Sequence, residues 1–172
     1  MSERPAARGL DRFRTAQESS HSGFAAALRE LRAGQKTGHW IWYVFPQLAG
    51  LGRSPTAVHY GLAGAEEAAE YLRDPVLGDR LVTAAAVVRA HLEGSNAKPA
   101  RLVELMGSEI DALKLVSCMT LFRHVAGRPT DADLRPRFAA MAEHAGAILA
   151  AAAAQGYGAC RYTEEHLRPP RS

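Results

Sequence analysis

The segment from Ser108 to Ala126 constrains the fold more than any other part of this chain. Ser108 and Asp111 have the spacing of an acidic capping box, which predicts that a helix begins there. The large apolar side chains that follow point in nearly every direction around the helix axis, and they are Leu113, Leu115, Val116, Met119, Leu121 and Phe122. A helix that is apolar on all sides is usually buried. We therefore predict a central buried helix over about residues 109–126, with the rest of the chain packed around it.

The other segments also predict helices, and none has the alternation of a convincing strand. Ser54 and Asp74 are each followed by proline, as at a helix start where a cap precedes proline at the first helical position. The run from His39 to Phe45 is too short for periodicity to separate helix from strand, but its helical surroundings favour a helix. Further helices are expected at residues 10–17, 24–34, 66–74, 75–93 and 100–106, and from Asp131 or Asp133 to about Gln155. The chain should therefore be all-α, with about six to eight helices.

The length of 172 residues fits one domain. We expect a single compact domain over residues 10–157, a flexible N-terminus over residues 1–9, and a C-terminal strap and tail over residues 158–172. The N-terminus lacks the features of a secretory signal, and no apolar run approaches the roughly 20 residues that span a bilayer. A soluble cytoplasmic protein without membrane contact is expected.

Charge and cysteine content narrow the function classes. The net charge is +3, but the basic residues are dispersed among acids, which disfavours a nucleic-acid partner. Cys118 and Cys160 have no spacing suited to zinc, and the histidines are scattered. No metal and no cofactor are expected, and no oligomeric state is predicted.

The stretch from Lys36 to Ser54 is the densest group of aromatic and polar side chains in the chain and includes both tryptophans. Either Trp40 or Trp42 could be left to stack on a ring or a cation, although both could also fill the core. His39 beside them is a residue type that titrates near neutral pH and suits an acid or base, or else it caps a loop.

A glycine-rich turn at residues 50–55 ends this stretch at a predicted helix start. Free amide groups at a helix N-terminus attract anions, and Arg53 could add a bidentate contact beside Ser54. An ordinary capped turn has the same composition, so a phosphate or carboxylate site is one of two interpretations.

Lysine is rare in this chain, since only Lys36, Lys98 and Lys114 are lysines among 21 basic residues. A lysine in so arginine-rich a chain suggests a need for a compact ammonium, which arginine cannot supply. Lys114 shares a helix face with Asp111, and the two form either a structural ion pair or the polar floor of a pocket. Arg80, on an otherwise apolar helical face, is expected to pair with an acid such as Asp111.

Several phrases in this order resemble one bacterial family: HWIWYVFPQLAGLGRS, YGLAGAEEAAEYLRDPVLGDRL and DALKLVSCMTLF. The family is the domain of unknown function 1810, which is often mislabelled calpastatin. The resemblance covers roughly residues 10–126 and implies an all-helical fold with an unassigned activity. Its polar and aromatic positions add Gln47, Tyr60 and Ser117 to the candidate site. Cys118 stands where the family more usually has a small polar residue, which argues against a catalytic role for this thiol.

Three functions are consistent with these observations. The first is binding of a nucleotide-like or other anionic, ring-bearing metabolite between the aromatic segment and the central helix. The second is hydrolysis of an N-glycosidic bond, with Asp111 stabilising positive charge and Lys114 or His39 transferring protons. The third is a helical interaction module without chemistry, which predicts an exposed apolar patch. The candidate ligand-binding residues are Lys36, Trp40, Trp42, Gln47, Arg53, Ser54, Tyr60, Arg80 and Ser117.

Overall fold

Ten helices form the part of the chain that the computed structural model describes, which is residues 9–95, 97–128 and 134–169. In chain order they are α1 (Asp11–Gln17), α2 (Phe24–Ala33), α3 (Ile41–Val44), α4 (Pro55–Tyr60), α5 (Ala65–Arg73), α6 (Pro75–Glu93), α7 (Leu102–Met106), α8 (Glu109–Ala126), α9 (Arg135–Ala154) and α10 (Arg161–Leu167). Within those ranges the extended pairing is limited to one bridge, between Leu48 and Leu62. The all-α prediction is confirmed. The helix count is ten rather than six to eight, and the helix that was not predicted is α10, which lies in the segment expected to be a strap and tail.

Helix α8 is the centre of the fold, as predicted. It packs against α3, α5, α7, α9 and α10. Leu115, Met119 and Phe122 are fully buried on it, and burial of each such side chain contributes about 1.5–3 kcal/mol. The burial stops short of its first turns, where Ile110 is 67% and Leu113 is 50% exposed. The expectation of burial on every side is therefore wrong for Leu113, which lies on a face of α8 that borders an open cleft.

Short-range capping sets the predicted starts of three helices. The Ser54 hydroxyl accepts from the amide of Ala57, and the Ser108 hydroxyl accepts from the amide of Asp111. The Asp74 carboxylate accepts from the first-turn amides of α6. Each of these contacts satisfies a backbone donor that the helix itself leaves free. The caps predicted for α9, Asp131 and Asp133, lie outside the described residues.

The loop that carries Lys36 is fixed between α2 and α7. Helix α2 ends at Gly34, whose φ of 85° is left-handed. The Lys36 amide then donates to the carbonyl of Leu105 in α7 at 2.8 Å. Helix α7 in turn ends at Gly107, immediately before α8 begins. These contacts hold Lys36 beside the first turn of α8.

The C-terminal segment packs against the helices. The Cys160 amide donates to the Thr120 hydroxyl at 3.1 Å, and the Tyr162 hydroxyl donates to the Ala49 carbonyl at 3.0 Å. Thr163 of α10 is fully buried. The strap expected here is thus tied to both α8 and the loop after α3, while the boundary at residue 157 stays a prediction. The expected flexible N-terminus falls, apart from Gly9, outside the described residues.

Candidate functional site

A cleft of about 650 Å³ opens beside the first two turns of α8. Its walls come from α8, from the segment spanning α3 to α4, and from the segment that leads into α10. The lining residues are Trp42, Gln47, Leu51, Gly52, Arg53, Ser54, Ala57, Ile110, Leu113, Lys114, Val116, Ser117, Gly158, Ala159, Cys160 and Arg161. Clefts of this size, mostly apolar with a few polar groups, are typical of small-molecule sites. The aromatic segment and the central helix therefore meet at a concavity.

The cleft is positively charged. Lys114, Arg53 and Arg161 line it, and its lining residues include no aspartate or glutamate. Arg53 and Arg161 are exposed and have no ion-pair partner among the residues that the structure describes. Cations gathered in a concavity without acids raise the local concentration of anions.

Behind the cleft, one carboxylate is shared by two ammonium groups. Lys36 Nζ lies 2.7 Å from Asp111 Oδ2, and Lys114 Nζ lies 3.5 Å from Asp111 Oδ1. The Lys36 side chain is 5% exposed and also donates to the Gly38 carbonyl. Since two positive groups surround one negative group, the cluster keeps a net positive charge facing the cleft through Lys114. The structure thus supplies Asp111 with a second partner, Lys36, that helical spacing did not predict.

The two tryptophans have different environments. Trp40 is fully buried, and its indole N–H donates to the carboxylate of Glu30. Trp42 is half-buried and lines the cleft, with Lys114 Nζ 4.3 Å from its ring centroid. Lys36 Nζ lies 5.0 Å from the Trp40 ring centroid in the same way. Only Trp42 is therefore placed to contact a ligand, and Trp40 belongs to the core.

Glu30 organises the turn that carries these aromatic side chains. Its carboxylate accepts hydrogen bonds from the amide and hydroxyl of Thr37, the amide of Gly38 and the indole of Trp40. Burial alone would raise the pKa of Glu30, but these donors outweigh it and hold the pKa below its ordinary value. The sequence interpretation missed this role. An acid in α2 has the sequence pattern of an ordinary surface residue, and the donors that it binds lie in the loop after the helix, whose path the sequence did not predict.

Besides Lys36, Trp40 and Asp111, three further predicted site residues do not line the cleft. Arg80 donates to Glu18 at 2.8 Å and to Gln17 at 3.2 Å, so its predicted pairing with Asp111 is wrong. Those acceptors lie at the end of α1, which packs against α6, whereas the partners of Asp111 are lysines. His39 is exposed and does not line the cleft.

Tyr60 is also outside the cleft, since it packs on the rings of Phe13 and Tyr43. Burial raises the pKa of its phenol. Its position favours a packing role, because its contacts are with core aromatic rings.

The hydroxyl groups near the cleft are largely committed to the backbone. Ser117 lines the cleft but donates to the Leu113 carbonyl at 3.0 Å, and the Ser54 hydroxyl caps α4. Helix α4 has only six residues, which limits the dipole that was expected to attract an anion at Ser54. Burial raises the pKa of the Cys118 thiol, which favours its unreactive neutral form.

Other site types find no support in the described residues. Within residues 9–95, 97–128 and 134–169, no cluster of histidine, cysteine and acidic side chains has the geometry of a metal site. None of the described helices combines the length and apolar character that a membrane crossing requires.

Sequence reasoning also missed several residues that line the cleft. Arg161 was assigned to a tail, and Leu51 and Ile110 were not singled out. Arg161 is the first residue of α10, a helix that the sequence prediction left within the tail. Its approach to Arg53, more than a hundred positions earlier, depends on tertiary packing alone.

Comparison with known proteins gives the family and a similar structure. The model of a family described as "Protein of unknown function (DUF1810)" matches residues 7–145. The crystal structure of the conserved hypothetical protein Rv1873 from Mycobacterium tuberculosis is similar, with a TM-score of 0.69 and 36% sequence identity over 94% of this chain and 97% of that chain. Among curated proteins, none matches this chain.

Proposed function

Since this chain belongs to the DUF1810 family of proteins of unknown function, we propose its function from its own cleft: it binds a small anionic, ring-bearing metabolite, such as a nucleotide, beside α8. One observation carries the proposal. A single cleft of about 650 Å³ combines three cations and no acid with an indole and aliphatic side chains. An anionic group would bind the cations of the cleft, and a ring attached to it would contact the indole and the aliphatic side chains.

The arginines provide the anion contacts in this proposal. Arg53 and Arg161 reach the cleft from different segments and have no competing ion pair among the described residues. A guanidinium binds phosphate or carboxylate with two parallel hydrogen bonds. Because both side chains are exposed, they remain free to adjust to the ligand.

The ring would contact Trp42 and the aliphatic rim. Lys114 Nζ already covers one face of the Trp42 ring, so the ligand ring would contact the rest of the indole while its anionic group approaches the same ammonium. Leu51, Ile110 and Leu113 supply apolar surface beside it. Contact with that surface would remove exposed apolar area from water, which favours binding.

Binding is better supported than hydrolysis. Asp111, the carboxylate proposed to stabilise positive charge, is held by two ammonium groups and does not line the cleft. A carboxylate neutralised in this way stabilises a developing cation poorly. His39, the other proposed acid or base, lies outside the cleft.

A second candidate function, a helical interaction module, is favoured by one observation. Ile110 and Leu113 are large apolar side chains that are 67% and 50% exposed on one end of α8. They flank a concavity that contains cations, which suits a small anionic ligand better than a flat apolar partner. Their exposure nevertheless makes a protein ligand the alternative outcome of the test.

Thermal denaturation in the presence of ligands tests the proposal. We expect at least one of the common nucleoside monophosphates to raise the melting temperature, and the matching uncharged nucleosides to raise it less, because specific binding stabilises the folded state. Arg53→Ala and Arg161→Ala should each weaken nucleotide binding about tenfold or more, as loss of a charge-assisted contact does.

Arg29→Ala is the matched control, since Arg29 is an exposed arginine on α2 outside the cleft. It should leave nucleotide binding unchanged. Absence of any melting shift across the nucleotides, or equal losses in the control and the two cleft variants, would contradict the proposal and favour the interaction module.

A further inference from the structure

We propose that Gln47 recognises the polar edge of the bound ring, so that the ligand is a nucleobase-like compound with an adjacent hydrogen-bond donor and acceptor. The inference rests on the proposed function and narrows it to one chemical class. An anionic ring without such an edge, such as a phenyl phosphate, would lack this recognition.

Gln47 is largely buried as a residue, but its carboxamide is uncommitted and open to the cleft. Gln47 is 8% exposed and lines the cleft. Among the described residues its side chain has no hydrogen-bond partner, although its backbone carbonyl accepts from the amide of Leu62 at 3.0 Å. Its amide atoms are not among the fully buried polar atoms that lack a partner, so they are accessible from the cleft. A glutamine that is packed in place, with its amide left open to a cleft, can direct that amide to a ligand.

A second buried glutamine shows the usual behaviour. Gln17 is 3% exposed, and its Nε2 donates to the Tyr43 carbonyl at 2.7 Å and to the Tyr71 hydroxyl at 2.9 Å. Its Oε1 accepts from Arg80. The same residue type is therefore fully satisfied where it has a structural role, and the free amide at Gln47 faces a cleft instead.

The backbone holds Gln47 in place without using its side chain. Residues on either side of the Leu48–Leu62 bridge exchange hydrogen bonds, with the Ala49 amide donating to Leu62 at 2.8 Å. Trp42 lines the same cleft, and its Nε1 likewise has no hydrogen-bond partner among the described residues. Two oriented polar groups thus remain available to a ligand.

The chemistry of these groups defines the ligand edge. A carboxamide offers one acceptor and a donor side by side, and it forms two parallel bonds with a ring that presents the complementary pair. An adenine amino group beside a ring nitrogen has this pattern, as does the N–H beside a carbonyl in uracil or guanine. Glutamine uses the same bidentate pairing when proteins read adenine.

Calorimetric titration of the full chain with three kinds of probe tests the inference. The probes are the nucleoside monophosphates, ribose 5-phosphate and phenyl phosphate. We expect at least one nucleotide to bind about tenfold or more tightly than phenyl phosphate, since two neutral hydrogen bonds distinguish them. Gln47→Met should remove about tenfold of the nucleotide affinity and leave phenyl phosphate binding unchanged.

Two controls keep the result interpretable. Gln35→Met changes an exposed glutamine outside the cleft and should alter no affinity. Gln47→Met itself should fold with nearly unchanged stability, because the Gln47 carboxamide makes no hydrogen bond within the described residues.

The outcomes separate the two proposals. Equal affinity for phenyl phosphate and the nucleotides, or an equal loss of both in Gln47→Met, would overturn the role of Gln47 and leave anion binding in the cleft intact. Failure of every phosphate probe to bind would overturn the proposed function, and the edge recognition with it.

Discussion

At the residue scale, the carboxylate of Glu30 decides whether the aromatic turn keeps its shape. Its donors lie between Thr37 and Trp40, directly after Lys36. Four donors aimed at one partly buried carboxylate favour its charged form, which explains the lowered pKa despite burial. Glu30 therefore stabilises the folded state most when it is ionised.

This charge predicts a pH-dependent stability. The folded-state pKa lies below the ordinary value of 4.5, so the contribution of Glu30 is complete above about pH 4.5 and is lost as the pH falls through the folded-state pKa. Glu30→Gln should lower the free energy of unfolding by about 1–2 kcal/mol at pH 7. The difference from the natural chain should shrink below pH 4.5 in urea denaturation measured across pH.

Glu165→Gln is the control, because Glu165 is exposed on α10 and has no hydrogen-bond or ion-pair partner among the described residues. Its free energy of unfolding should stay close to that of the natural chain at every pH. A pH-independent loss in Glu30→Gln would contradict an ionic role for Glu30.

At the element scale, the end of α7 fixes the distance between the Lys36 loop and α8. Gly107 ends α7 with a φ of 80°, and a Cβ atom there would lie 2.5 Å from the Lys36 carbonyl oxygen. Glycine is needed here for two reasons. Other residues rarely adopt a positive φ, and the Lys36 carbonyl is a backbone atom that cannot move aside as a flexible side chain could. The short connection from α7 into α8 thus brings Asp111 within reach of Lys36.

Substitution of this glycine should disturb stability and the ion pair together. Gly107→Ala is expected to lower the free energy of unfolding by on the order of 2–3 kcal/mol, from backbone strain plus the close contact. Gly34→Ala is the matched control. Gly34 has a φ of 85°, but its Cβ would meet only His91, at an ordinary 3.5 Å.

Gly34→Ala should therefore lower the free energy of unfolding by about 1 kcal/mol, which is the effect of backbone strain alone. Chemical denaturation of both variants measures the difference. Equal losses would show that the contact between α7 and the Lys36 loop is not tight.

At the scale of the whole molecule, the cleft gathers its cations from three distant parts of the chain. Arg53 precedes α4, Lys114 belongs to α8 and Arg161 begins α10. Their side chains are exposed or partly exposed, so dissolved salt screens them. The positive field of the cleft is therefore a property of the assembled fold.

Nucleotide binding should accordingly weaken with ionic strength. We expect the affinity for the nucleoside monophosphate that binds best to fall by a factor of roughly five to ten as salt rises from about 0.05 M to about 0.5 M. Binding of the matching nucleoside should change little, because it has no anionic group. Calorimetry at the two salt concentrations compares them, and salt-independent nucleotide binding would contradict a role for these cations.

The sequence alone determined the features that depend on neighbouring residues. The caps at Ser54, Asp74 and Ser108 were predicted correctly because a cap acts within one helical turn. The central position of α8 was also predictable, since apolar side chains in most directions around a helix require cover, although Leu113 stays exposed. The scarcity of lysine drew notice to Lys36, Lys98 and Lys114, and the structure places two of them, Lys36 and Lys114, on Asp111.

Only the tertiary structure decided which of these residues share the cleft. It buried Trp40 and left Trp42 at the surface of the cleft, and it paired Arg80 with Glu18. It also brought Arg161, which the sequence prediction left in a tail, to the cleft. The physical reason is that helix periodicity and capping act over a few residues. Contacts between segments up to 113 positions apart, such as Tyr162 with Ala49, depend on how every intervening helix packs.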